Sequence, residues 1–478
     1  MKRSTVYRIE KDSLGERRVP ATAYYGIHTV RAIENFPITG IPISHYPSLP
    51  VALALLKSAA AAANGGLRLL NAPRRDAIRR ACKEIVRLRL HDQFVVDVIQ
   101  GGAGTSTNMN ANEVVANRAL EFLGKKRGEY SYLHPLDHVN LSQSTNDVYP
   151  TALKLSAYLM LRDLIDTVSH CVGVFAVKGR EFRDILTMGR TQLQDAVPIT
   201  LGQEFSAYAV TLGEDVDRIV ETMKLLTEIN LGATAIGTGI NTHPHYKHRV
   251  RDELSSLTGI HFSTAPDLVE ATQDTGVFVL LSGVIKRLAV KLSKIADDLR
   301  LLSSGPVAGF GDINLPAMQP GSSIMPGKVN PVIPEVINQI AFQVIGNDLT
   351  VTLAAASGQL QLNAFEPIIG YNLFESIEML SDGCRILADQ CVAGITANAE
   401  HCRANVMRSP GLATVLNPVI GYERAALIAK ESLRTGTSVY DLALESRIIT
   451  REQLDELMDP SRMTGLTVAR ARTRRKRR

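Results

Sequence analysis

Apolar residues recur at helical spacing over four long stretches of the chain: Thr151–Arg183, Thr200–Ile229, Asp274–Leu302 and Pro331–Ser357. Each outruns the roughly 8–20 residues of an ordinary globular helix, which predicts a bundle of long helices. The last stretch sets Asn338, Gln339, Gln343 and Asn347 among strong apolars. Such a helix is expected to be covered on most sides, with its amides hydrogen-bonded to neighbouring helices. The first 140 or so residues are more mixed. Helical periodicity runs through VALALLKSAAAAANGGLRLLNAP and PRRDAIRRACKEIVRLRLHDQF and is broken by Gly and Pro. Shorter helices resume after about residue 400. The expected organisation is an N-terminal, mainly helical domain over 1–143 and a central long-helix domain over 144–399. A small C-terminal helical domain over 400–469 and a basic tail over 470–478 complete it.

Composition adds limits to that picture. The 478 residues are too many for one compact core. Aromatics are 5% and Trp is absent, so Leu, Ile, Val and Ala must fill the interior. The N-terminus lacks an apolar signal region, and no apolar run reaches the roughly 20 residues that cross a bilayer. Five scattered cysteines form neither a disulfide framework nor a metal knuckle, and Cys384 and Cys391 are expected to share a buried helix face. A cytoplasmic protein is the expectation. The net charge of +5 is dominated by RARTRRKRR, from Arg470 to Arg478, which carries seven positive charges; without it the body stands at 5 minus 7, or −2. The body is therefore not a nucleic-acid binder by charge, which leaves only the tail for that role.

Five polar islands interrupt the helical chain: 101–113 (GGAGTSTNMNANE), 138–150 (HVNLSQSTNDVYP), 189–195 (GRTQLQD), 232–242 (GATAIGTGINT) and 321–331 (GSSIMPGKVNP). Each adjoins a long apolar stretch. GGAGTS lacks the Lys of a phosphate-binding Walker loop, and any single island reads equally well as a capping loop. Together they supply hydroxyls, amides and backbone N–H groups, one cation in Lys328 and few carboxylates. That equipment suits a small substrate with two carboxylates. Asn330-Pro331 is a favourable start for the following helix, whose positive end would face the site. By acid–base strength, Lys328 or a His is the candidate base. His243, His245 and His248 resemble a metal cluster, but no Asp or Glu stands at ligand spacing, so no metal is assigned. No Ser-His-Asp arrangement or G-x-S-x-G elbow is present.

The segment GSSIMPGKVNP is very similar to the signature of the fumarase/aspartase superfamily, lyases that assemble as homotetramers. The likeness extends from IEKDSLGERRVPATAYYGIHTVRAIENFPI to GYERAALIAKE and DPSRMTG. Within the superfamily, AYYGIHTVRAIENF, QSTND, GRTQLQDAVP and INLPAMQPGSSIMPGKVNPVIPE resemble the aspartase branch more than class II fumarases. Val307 and Leu136 depart from the pattern, where Arg and Asn are common, and the basic tail is not a family feature.

The resemblance implies a mainly α, three-domain fold whose long-helix bundle forms a tetrameric core. It also implies reversible elimination of ammonia from L-aspartate to give fumarate; hydration of fumarate to L-malate is the alternative. Thr105, Ser144, Thr145 and Ser323 would grip the β-carboxylate, and Lys328 and Asn330 the α-carboxylate. Asn146, Thr191 and Gln192 would surround the amino group. The base would be Ser322 as an alkoxide, with the islands of three chains meeting at each site. No redox or organic cofactor is implied; a response to divalent cations, seen in some aspartases, stays open.

Overall fold

The computed structural model describes residues 6–465; the expectation for the basic tail lies outside these. The long-helix reading holds. Helices α1 (Ile27–Asn35), α2 (Ser48–Gly66), α3 (Ala72–Val86) and α4 (Thr105–Phe122) precede the 37-residue α5 (Thr145–Glu181). Then follow α6 (Leu201–Met223), α7 (Tyr246–Thr258), α8 (Gly276–Leu302), α9 (Val332–Ala356) and α10 (Glu366–Ile386), and shorter helices to Met463. Strands are few. The longest are the antiparallel hairpins β1 (Tyr7–Asp12) with β2 (Gly15–Pro20), and β3 (Leu186–Thr191) with β4 (Gln194–Thr200).

The chain divides into two compact units, each assembled from three stretches. The first takes Met1–Ile165, Asp217–Ala289 and Phe342–Leu380; the second takes Asp166–Val216, Val290–Ala341 and Ser381–Arg478. In the first unit α2 packs on α3 and α7. Its Ala52, Ala54, Ala59, Ala60, Ala61 and Ala63 are buried, and small side chains let helices approach closely. In the second unit, Phe175, Phe182, Phe205 and Tyr208 form an aromatic cluster with centroids 5.2–6.1 Å apart, three of its four pairs edge-to-face and Phe175–Phe205 tilted. Leu186 and Met188 of β3 share a further core with Val406, Leu412, Leu416, Val439 and Leu454 of the C-terminal helices. All five cysteines are buried thiols, Cys384 and Cys391 included.

Two expectations change. Helix α5 starts at Thr145, six residues before the expected Thr151, and carries Pro150 inside it. Proline has no N–H to give the carbonyl four residues back, which is that of Asn146. The Asn230 amide supplies the missing donor, at 3.0 Å from Asn146 O. Secondly, α9 is covered on one face within a single chain. Asn338 bonds Ser293 Oγ at 2.9 Å, and Asn347 bonds Glu375 and Ser376 at 2.9 and 3.0 Å. On the other face Phe342, Ile345, Leu349 and Leu353 are exposed, as are Gln339 and Gln343.

A buried carboxylate secures the N-terminal region to α4. Glu113 accepts from the backbone N–H groups of Gly26, His28 and Thr29 and from the Thr29 hydroxyl, at 2.7–3.2 Å. These donors belong to the first turn of α1, whose N–H groups have no partners within the helix. Replacing Glu113 by Ala orphans them, at a cost on the order of 3 kcal/mol. Glu113→Gln keeps one acceptor oxygen and should cost less. Thermal unfolding at one fixed protein concentration checks that order.

Candidate active site

Three of the five islands meet in the first unit, and the two buried charges that join them were not singled out from the sequence. Lys57, on α2, is fully buried in the midst of an apolar helix. Its ammonium donates to Asn108 Oδ1 at 2.6 Å, Asn140 Oδ1 at 2.9 Å and Gln143 Oε1 at 3.0 Å. Burial pushes its pKa down to about 7, while the nearby Asp147 carboxylate works in the opposite direction. The charge thus ties island 101–113 to island 138–150. Asp147, also fully buried, performs the second junction. It accepts from Ser144 N at 3.0 Å, Gly232 N at 3.0 Å and Thr234 N at 2.9 Å, which fastens island 232–242 to the start of α5. Burial raises this carboxyl to about 6, against the pull of those N–H groups and Lys57.

The sequence-assigned residues of this unit stand at two helix starts. Thr105 opens α4, exposed, its hydroxyl turned back to Gly102 O at 2.7 Å. Gly104 before it has φ +86°, and a Cβ there would lie 2.4 Å from the Tyr149 ring, so only glycine fits. Ser144 Oγ caps Asn146 N at 3.2 Å. Thr145 Oγ1 accepts from Asn108 Nδ2 at 3.1 Å, and Asn146 Nδ2 donates to Ala235 O at 2.8 Å. All three are half-buried. Hydroxyls therefore cluster at the positive end of a 37-residue helix, a favourable place for an anion.

The second unit holds the rest, in two places. Thr191 ends β3, and Gln192 and Leu193 form its two-residue connection to β4, both with positive φ (54° and 61°), as a type I′ turn requires. The island 189–195 is thus a hairpin tip, with Thr191 and Gln192 exposed, and its base is held by the Arg190–Asp312 ion pair at 2.7 Å. Ser322, Ser323, Lys328 and Asn330 lie on the loop before α9. No hydrogen bond among the described residues joins hairpin tip and loop.

That loop closes on itself. Gly321 N donates to Lys328 O at 2.7 Å, and the Asn330 amide donates to Gly321 O at 2.8 Å. Asn330 therefore does not cap the helix as its position suggested; its side chain is committed to the loop base, and α9 begins at Val332. The Ser322 hydroxyl oxygen accepts two backbone N–H bonds, from Ile324 at 3.1 Å and Met325 at 2.9 Å. Ser323 and Lys328 are exposed. Lys328 lines two cavities, one of about 620 Å³ shared with Ser322 and one of about 1030 Å³ shared with Asn330 and Arg300. Val307, where Arg is common, is 93% exposed, and Leu136 is 41% exposed. The rings of His243 and His245 lie 5.4 Å apart, and among the described residues no three His, Cys, Asp or Glu side chains converge as metal ligands.

A helical scaffold presenting hydroxyls, amides and one lysine on separate loops defines a class that comparison with known proteins identifies. A family model described as Lyase matches residues 15–346, and one described as the fumarase C C-terminus matches 412–465. The chain belongs to the fumarase/aspartase superfamily of lyases. Its similarity falls to the aspartase branch. It is 56% identical to an aspartate ammonia-lyase of Pseudomonas aeruginosa, over 95% of this chain and 96% of that one. Identity to the Escherichia coli K12 aspartate ammonia-lyase is 53%, with 94% of each chain covered. Among solved structures, a fumarate lyase:delta crystallin from Brucella melitensis bound to cobalt superposes with a TM-score of 0.93 at 56% identity, covering 96% of this chain and 99% of that one. A class II fumarase from Schistosoma mansoni gives 0.90 at 35% identity, covering 95% and 98%.

A Cβ at Gly321 would stand 2.6 Å from Lys328 O and 2.9 Å from Asn330 N, inside the bond that closes the loop. Gly321→Ala should therefore open the loop base and cut turnover at least tenfold while leaving the helical circular dichroism intact. Limited proteolysis should cleave the 321–331 segment faster than in the parent.

Proposed function

We propose that the chain catalyses the reversible elimination of ammonia from L-aspartate to give fumarate. Support comes from the 53–56% identity to aspartate ammonia-lyases over nearly the whole chain, against 35% to the class II fumarase. The difficult step is removal of a proton from Cβ, because the adjoining carboxylate must accept a second negative charge. A site that binds this aci-carboxylate more tightly than aspartate lowers the barrier. Thr105, Ser144, Thr145 and Ser323 are assigned to that group through their hydroxyls, the first three at helix starts and Ser323 on the loop; Thr105 would exchange its bond to Gly102 O for the substrate. Lys328 and Asn330 are assigned to the α-carboxylate, and Asn146, Thr191 and Gln192 to the amino group.

Ser322 is assigned as the base. An unaided serine is a very weak base at neutral pH, and the observation that supports the role is the pair of N–H bonds to its oxygen. Donors aimed at the oxygen favour the alkoxide over the neutral hydroxyl. The alkoxide takes the Cβ proton, the C–H electrons form the aci-carboxylate, and their return to make the C=C bond expels ammonia. No electron leaves the substrate, so the reaction needs no redox cofactor.

The family resemblance supports a homotetramer, and so does the exposed apolar face of α9. Phe342, Ile345, Leu349 and Leu353 recur at intervals of three or four, and they are 40–64% exposed. Such a stripe fits burial against helices of other copies, which would bring the islands of three chains to each site.

Following fumarate absorbance with aspartate and then with malate separates the two lyase readings: aspartate alone should be turned over, and malate turnover without aspartate turnover would refute ammonia elimination. Ser322→Ala should keep the fold and assembly and lose nearly all turnover, whereas Lys328→Ala should chiefly raise KM for aspartate. Leu349→Glu should shift the assembly to smaller species in size-exclusion chromatography with light scattering. Unchanged mass would remove this stripe from the interface.

A further inference from the structure

An ammonium has only hydrogens to offer, so every group facing the Lys57 Nζ must turn an oxygen toward it. Asn108, Asn140 and Gln143 all do so, and their orientations follow from that alone. Gln143 Nε2 donates away to Val139 O at 2.9 Å, and Asn140 Nδ2 to Gln143 O at 3.2 Å. With Asn108 Oδ1 claimed by Lys57, its Nδ2 points the other way, to Asn140 Oδ1 at 3.2 Å and Thr145 Oγ1 at 3.1 Å. Thr145 is thereby an acceptor toward the interior. Its single hydrogen is directed elsewhere, and no acceptor for it is found among the described residues.

We propose that Lys57 is a positioning residue that, through Asn108, fixes the Thr145 hydroxyl as a hydrogen-bond donor toward the substrate carboxylate. This rests on the reading of Thr145 as a carboxylate ligand. If the Asn108 amide were reversed, Thr145 would donate inward and present a lone pair to the substrate, turning an attraction into a repulsion. Two polar residues and a buried charge therefore set the sign of one contact at the start of α5. The ammonium itself need not touch substrate, and its burial among amide oxygens is what keeps the relay in one direction.

The test inverts the relay without changing its shape. Asn108→Asp pairs its carboxylate with Lys57 and offers Thr145 an acceptor, so the hydroxyl hydrogen should turn inward. Binding of succinate, a dicarboxylate that cannot eliminate, is measured by calorimetry beside kcat/KM for aspartate. Four proteins are compared: the parent, Asn108→Asp, Thr145→Val and the double variant. Asn108→Asp should weaken succinate binding and lower kcat/KM tenfold or more, and should add no further loss when Thr145 is already Val. Equal losses in both backgrounds would show a merely structural effect and overturn the relay, as would no loss at all. Unchanged binding in Thr145→Val would instead overturn the ligand reading on which the relay rests. Should Asn108→Asp fail to fold, Lys57→Met in the same four-way comparison carries the test, with a loss of the same sign confined to the background that retains Thr145.

Discussion

A helix whose end is buried leaves N–H or C=O groups that water cannot reach, and this chain buries several such ends. Its solutions are a small set of buried polar side chains. Glu113 satisfies the first turn of α1, Asp147 holds the 232–242 loop against the start of α5, and Asn230 replaces the donor that Pro150 lacks. Lys57 answers the opposite need, gathering amide oxygens from two islands around one charge. Each partner does two things at once. It removes an unsatisfied group, which is worth about 1–3 kcal/mol when buried, and it fixes the backbone or hydroxyl groups left facing outward.

Those outward groups are what the proposed chemistry uses. An intermediate with two charges on one carboxylate is best held by donors already in place before charge develops. Thr145, at the start of α5, meets that description, since its hydroxyl is bonded by Asn108 of the buried network beneath. The loop at 321–331 is built on another principle. It closes through Gly321 and Asn330, keeps most of its side chains exposed, and holds its Ser322 oxygen against two N–H groups.

The long helices were legible because apolar periodicity survives over 25 residues or more, and the polar islands because nothing else in the chain resembles them. Three features were not. The hairpin at 186–200 shows no clean period-two alternation, with Leu186, Thr187 and Met188 buried in succession, and its turn, Gln192-Leu193, lacks the Asn-Gly or Gly that marks such turns. Pro150 looked like a boundary, since only the distant Asn230 makes a proline acceptable there. Lys57 appears as one charge in an alanine-rich helix, where an exposed position is the ordinary expectation; nothing local announces that three amides 51 to 86 positions away will surround it. The site itself divided in the same way. Residue types on islands could be read from composition, whereas the choice of Ser322 over Lys328 as base came from resemblance, and its two N–H partners became visible only in three dimensions.

The reverse reaction is the sharpest test of ammonia elimination. Fumarate and ammonium are supplied together in deuterated water, and the product is read by proton NMR. The expected product is L-aspartate carrying a single deuterium on Cβ, delivered from the same face that the base occupies. Malate as the only product, or no product from fumarate and ammonium, would contradict it.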